Sequence, residues 1–198
     1  MPHITRDSLL TLEAYARTRT DFRASVLEHK KPRTVHLGEH LTLLFEDELT
    51  IRYQIQEMLR IEKAFEEDAI QDELDAYNPL VPDGSNLKAT MLIEIPDVQL
   101  RPVRLAQMKG VEDCCYLQVV GRAAGCDRVF AIADEDLERA NDTKTSAVHF
   151  LRFEFTPAMV AALRSGAALA AGVEHAQYQH RVESLPVATR AALINDLE

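Results

Sequence analysis

The chain has 198 residues, with 22 Lys and Arg against 32 Asp and Glu, a formal net charge of -10, 46% hydrophobic residues, 6% aromatics and no Trp. That length suits one domain spanning 1–198, which buries roughly 70% of its unfolded surface without needing disulfides or a structural metal. The acidic balance argues against a phosphate-binding surface, which takes clustered Lys and Arg, and low Gly (7) and Pro (8) with high apolar content exclude collagenous and disordered classes.

Residues 1–15 mix Arg6, Asp7 and Glu13 among their apolar residues, so no signal-peptide core is expected there. The longest nearly uncharged apolar stretch, Ser165 to Val173, is far short of the roughly 20 residues that span a bilayer. A cytoplasmic location follows as the expectation. Ser8 to Lys30 has apolar residues at three- and four-residue spacing and predicts a helix that stops near Pro32. Thr34 to Leu37 and Leu41 to Phe45 predict a hairpin around Gly38-Glu39. Asp47 caps a second long predicted helix running to Tyr77, where Asn78-Pro79 is a stop signal.

After a turn at Asp83-Gly84 the pattern becomes extended. Ala89 to Ile95, Cys114 to Val120, Arg128 to Ala133, Ala147 to Phe155 and Ala167 to Val173 are predicted strands. Short helices are predicted over Pro102 to Lys109, over Glu135 to Ala140, after Thr156-Pro157 and over Val187 to Leu197. The expected fold is α+β: a helical part (1–80) and a strand-rich part (85–198) of one domain. It has one largely antiparallel sheet of about five to seven strands, two long N-terminal helices and shorter helices packed on it.

Charge is concentrated. Residues 41–80 hold Arg52, Arg60 and Lys63 against eleven carboxylates, a balance of 3 minus 11, or -8, whereas residues 1–40 are mildly basic. On the second helix, steps of 100° from Ile51 gather Ile55, Met58, Phe65 and Ala69 on one face, with Glu62 in its middle and Glu66 beside it. A carboxylate on an apolar face must be paired or functional. The pairing alternative is an ion pair of Glu62 with Arg23, Arg33 or Arg104. The other face carries Arg60, Lys63, Glu67 and Asp68, with Glu57 at its edge, and is a candidate partner surface. Candidate binding residues are therefore Glu57, Arg60, Glu62, Glu66 and Tyr77.

Other chemistry is weakly signalled. His36-Leu37-Gly38-Glu39-His40 matches H-x-x-E-H, but Pro32 and Gly38 place it in a hairpin rather than on one helix. Cys114, Cys115 and Cys126 lack metal-site spacing, and the adjacent pair suits one buried and one half-exposed thiol. His149 is placed on one side of a strand with Phe150 on the other, and Glu174, His175 and His180 read as surface residues. No Glu-x-x-His pair, nucleophile elbow or phosphate loop occurs, so no catalytic residue is assigned and neither cofactor nor metal is expected.

Lys30-Lys31-Pro32-Arg33, Gly38, Phe45-Glu46, Thr50, the string Gln54 to Glu62, Glu73-Leu74 and Tyr77-Asn78, with Leu87 to Glu94 and Phe150 to Phe155, resemble a bacterial family known only as a domain of unknown function, numbered thirty-five-oh-one. The resemblance covers nearly the whole chain. It implies no activity, but a redox or peroxide-stress setting beside rubrerythrin-like and iron–sulfur oxidoreductase-like proteins. The leading expectation is thus a non-catalytic accessory or binding protein docking such a partner, with homodimerisation as a further option and neither nucleic acid nor membrane as a target. The alternative is a small-molecule enzyme or sensor with a carboxylate-lined pocket around Glu62.

Overall fold

Thr11 opens the first helix, α1 (Leu12–Lys30), by accepting a hydrogen bond from the Ala14 amide. Residues Arg6–Ser8, upstream, form a separate 3-10 turn, so the helix starts later than the spacing from Ser8 predicts. These elements come from a computed structural model that describes residues 3–121, 128–133 and 145–198. The predicted helix at Glu135 to Ala140 and Cys126 lie outside the described residues.

Pro32 sits in a 3-10 turn after α1 and feeds β1 (Thr34–Leu37) and β2 (Leu41–Phe45), an antiparallel hairpin turning on Gly38. Gly38 has φ +77°, and a Cβ there would lie 2.4 Å from the Tyr178 hydroxyl oxygen. That hydroxyl donates to the Leu37 carbonyl at 2.6 Å and accepts from the His40 amide at 3.1 Å. The H-x-x-E-H string is therefore a hairpin turn, as its Pro and Gly predict. His36 contacts Thr42 across the hairpin and His40 faces the Glu94 carbonyl.

The predicted second helix is two. α2 (Glu48–Glu62) starts at an Asp47–Thr50 capping box and stops at Lys63, a left-handed residue with φ 54° and ψ 36°. α3 (Glu67–Tyr77) then folds back. A left-handed residue other than Gly costs about 1–2 kcal/mol. The break lets Ile70 and Leu74 of α3 join Ile51, Ile55 and Leu59 of α2 around Ile4 and Leu9, in one apolar cluster. A straight helix carries Ile70 away from that cluster. Two amides hold the N-terminal segment to it: Asn78 bonds the Ile4 amide and carbonyl, and Gln56 those of Leu10.

Strands β3 (Asn86–Ile93), β4 (Cys115–Val120), β5 (Arg128–Phe130), β6 (Val148–Glu154), β7 (Ala168–His175) and β8 (Tyr178–Val182) complete the sheets, with α4 (Arg101–Gln107), α5 (Pro157–Arg164) and α6 (Val187–Ile194) beside them. Among the described residues every strand-to-strand pairing is antiparallel, but the strands form two four-stranded sheets, β1-β2-β3-β6 and β5-β4-β7-β8, rather than one of five to seven. The physical reason is burial. Leu43, Phe45, Met91 and Phe153 on one sheet, and Leu117, Val119, Leu169 and Ala171 on the other, share one core, so each sheet covers the other's apolar face. Reciprocal backbone bonds of 2.9 Å between Ile132 and Arg152 tie the sheets at one rim. β8 is an exposed edge strand whose polar sequence carries no alternation signal.

Candidate functional site

The predicted site residues separate. Glu57 is a half-buried carboxylate of α2, and it clamps α1. It takes two parallel bonds from Arg19, Nε to Oε1 at 2.7 Å and Nη2 to Oε2 at 2.8 Å, and a third from the Tyr15 hydroxyl at 2.6 Å; Arg60 approaches at 3.4 Å. Bonding to Arg19 holds the Glu57 carboxyl down at about 2, and burial against that carboxylate pushes the Tyr15 phenol up. Tyr15 and Arg19 both stand on α1, so Glu57 joins the two helices.

The Glu57 pairing has a pH signature. Unfolded, the carboxyl titrates near 4.5; folded, near 2, so its stabilising contribution is complete above about pH 4.5 and disappears as pH falls towards 2. We expect urea midpoints of the native chain to fall more steeply across that window than those of Glu57→Gln, whose side chain stays neutral. Equal slopes in the two proteins would contradict the assignment.

Glu62 does not face inward. It is exposed, as are Glu66, Phe65 and Ile61, because the turn at Lys63 ends the helical phase that put Glu62 among apolar residues. None of Arg23, Arg33 or Arg104 pairs with it among the described contacts. The carboxyl pushed upward here is Glu73 on α3, by burial first and by the neighbouring charge of Glu62 second. At this α2–α3 corner, Ile61 is 60% and Phe65 70% exposed, with the exposed carboxylates of Glu62, Glu66, Glu67 and Asp68 around them. A shallow apolar groove of about 200 Å³ runs beside Phe65, between Leu10, Leu12, Leu59 and Ile70.

Of the predicted residues, only Tyr77 lines the cleft between the helices and the outer face of the first sheet. This cleft of about 290 Å³ has Leu44, Leu92, Val148 and Phe150 as its sheet wall and Ile51 and Leu80 opposite. Its polar groups are Lys30, Glu46, Thr50, Gln54, Tyr77 and Thr90. Period 2 along the hairpin points Thr42, Leu44 and Glu46 to the same outer face, away from Leu43 and Phe45. Sequence reasoning passed over Glu46, although that parity and the adjacent Asp47 cap were the signal that could have found it.

Glu46 is 7% exposed and pinned through its amide to the Lys88 carbonyl at 2.8 Å. The Thr90 hydroxyl donates to its Oε1 at 2.6 Å. Close by, Arg33 (4% exposed) gives two bonds to Asp196, at 2.7 and 2.9 Å, and reaches Asp47 Oδ2 at 2.9 Å and the Ala192 carbonyl. His29 Nε2 lies 2.5 Å from the same Asp47 oxygen and 3.1 Å from Arg33 Nε. A nitrogen that donates to Asp47 cannot also accept from Arg33, so the second is a packing contact.

The thiols are as the sequence implies. Cys115 is buried against the Met91 sulfur at 3.6 Å and its ionisation is pushed up by burial, while Cys114 is half-buried and shifted the same way. His149 is buried and meets Thr145 at 2.8 Å. No group of three or more His, Cys, Asp or Glu fit to hold a metal occurs among the described residues. No described helix is long and apolar enough to cross a membrane.

A two-sheet α+β protein with an acidic helical corner and a cleft between helix and sheet is thus the class defined by fold and surface. The chain belongs to the family described as "Protein of unknown function (DUF3501)", which matches residues 3–197. It is similar to a crystal structure of a novel protein of unknown function from Burkholderia pseudomallei K96243, with 55% identity, 100% of both chains covered and a TM-score of 0.92. A search of curated proteins finds no match.

Proposed function

We propose that this protein is a non-catalytic accessory protein of the cytoplasm whose α2–α3 corner docks a rubrerythrin-like or iron–sulfur oxidoreductase-like partner. The observation that carries the reading is the exposure of both Ile61 and Phe65 at one acidic corner, with Phe65 on the rim of the apolar groove. Scattered exposed apolar residues need no explanation, but a large exposed aromatic on an apolar groove with charge around it is the anatomy of an interface. Four carboxylates around it call for a partner with a basic rim and an apolar socket. The redox setting rests on the family resemblance.

The test is titration of the chain against a purified rubrerythrin-like protein and a purified iron–sulfur oxidoreductase-like protein from the same genome. We expect saturable binding to one of them that weakens with added salt and falls at least about tenfold in Phe65→Ser, an aromatic anchor lost from the interface. The unfolding midpoint of that variant should hold, since a substitution at an exposed site shifts stability by about 0.5 kcal/mol or less. No binding to either partner, or equal binding by the variant, would overturn the docking role.

A second reading, a small-molecule enzyme or sensor, is favoured by the cleft at Tyr77, with Glu46 in place of Glu62 as its carboxylate.

A further inference from the structure

We propose that the cleft between α2 and the outer face of the first sheet binds a small organic cation, a primary ammonium or guanidinium on a short apolar body, with Glu46 as the charge partner. Three observations converge on it.

The first is an accessible carboxylate. Glu46 is 7% exposed, and among the described residues the neutral Thr90 hydroxyl donates to its side chain, at Oε1. Oε2 is not sealed inside the protein: the carboxylate lines the cleft, where a bound cation can reach it.

The second is that Arg33 is already committed. Asp196, Asp47 and the Ala192 carbonyl take its terminal nitrogens. It acts on Glu46 only through space. Lys88, whose carbonyl takes the Glu46 amide, is a second buried cation on the neighbouring strand, and its ammonium bonds the Pro79 carbonyl, while His29 lies against Asp47. Lys30, the cation at the cleft itself, turns its ammonium to the Tyr53 ring, 5.8 Å from the centroid.

The third is shape. A site of about 290 Å³ sits at the small end of ligand pockets and admits a compact molecule. Leu44, Leu92, Val148 and Phe150 offer its body an apolar wall, and Gln54, Thr50 and Tyr77 supply polar edges. Thr50 is already held in the α2 capping box, which leaves Gln54 and the Tyr77 hydroxyl to contact the ligand.

The experiment compares three probes of one shape: phenethylamine, 2-phenylethanol and 3-phenylpropionate. Each is titrated against the native chain and followed by methyl shifts of Leu44, Leu92 and Val148. The amine should bind and the alcohol and carboxylate should not. Glu46→Gln, which keeps an acceptor for Thr90, should weaken the amine at least about tenfold, because the charge-assisted bond is lost. Leu44→Phe, which fills the cleft without touching a charge, should abolish binding, and so keeps the test alive if Glu46→Gln fails to fold. Equal binding of amine and alcohol, native-like binding by either variant, or no amine binding up to about 10 mM, the range of the weakest specific sites, would overturn the proposal. Phe65→Ser should bind the amine normally, so this result stands or falls apart from the docking role.

Discussion

Replacing Arg33 by alanine is expected to lower stability by about 3–5 kcal/mol, the usual cost of removing one partner from a buried ion pair. Arg33 follows Pro32 in the turn after α1, Asp47 is the N-cap of α2, and Asp196 follows α6, so one side chain joins three segments distant in sequence. Its loss leaves Asp47 and Asp196, 14% and 11% exposed, without their cation. The Asp196 carboxyl already stands above its ordinary value, burial raising it and Arg33 pulling it back. Without Arg33 it rises further. An acid raised in the folded state favours folding at low pH and opposes it once ionised, so the deficit of Arg33→Ala should grow as pH rises through that folded value. Urea unfolding at about pH 5 and pH 7 measures this. The double variant Arg33→Met, Asp196→Leu should recover part of the loss, since two apolar groups leave only Asp47 unpaired, with His29 beside it. Additive losses would argue against a coupled pair.

Phe153→Ala should cost a further about 3–5 kcal/mol for a different reason, the cavity left by a large buried ring. Phe153 is fully buried in the core shared by the two sheets, 6.2 Å from the Phe45 ring between centroids and opposite Leu87 in the β3–β6 register. Both sheets lose contacts at once. Calorimetry of Phe153→Ala beside Phe65→Ser separates the roles of two phenylalanines: the first should lower the melting temperature sharply, the second should leave it unchanged while removing partner binding. A small shift for Phe153→Ala would mean that the sheets do not depend on one common core.

Much of the local structure was legible because local forces set it. Asp47 and Thr156 were readable as caps, since each bonds an amide three residues on, and Gly38 and Gly166 mark turns whose positive φ suits glycine. The β-forming runs Leu41 to Phe45 and Ala147 to Phe155 announced strands, the second of which alternates buried and half-buried residues, and the Cys114-Cys115 pair split as the period of an extended segment requires. The candidate site was legible only at Tyr77. Glu57 was placed at the edge of a partner face, yet Tyr15 and Arg19, 42 and 38 residues away, bond both of its oxygens. Glu62 was placed inside by a helical phase that ends one residue later.

What the sequence determined by itself was the α+β class, the antiparallel strand preference, the family and the concentration of acid between residues 41 and 80. The family follows from the resemblance of its strings, and the rest from periodicity, capping and composition, which act within a few residues or count them. Tertiary structure alone decided the break at Lys63, the division of the described strands into two sheets and the exposure of Ile61 and Phe65. It also decided which carboxylate faces the cleft. No Gly or Pro marks the break: the left-handed turn is held because Ile70 and Leu74 then reach Ile4 and Leu9, and burial shared with a segment some sixty residues upstream outweighs the local preference to continue one helix.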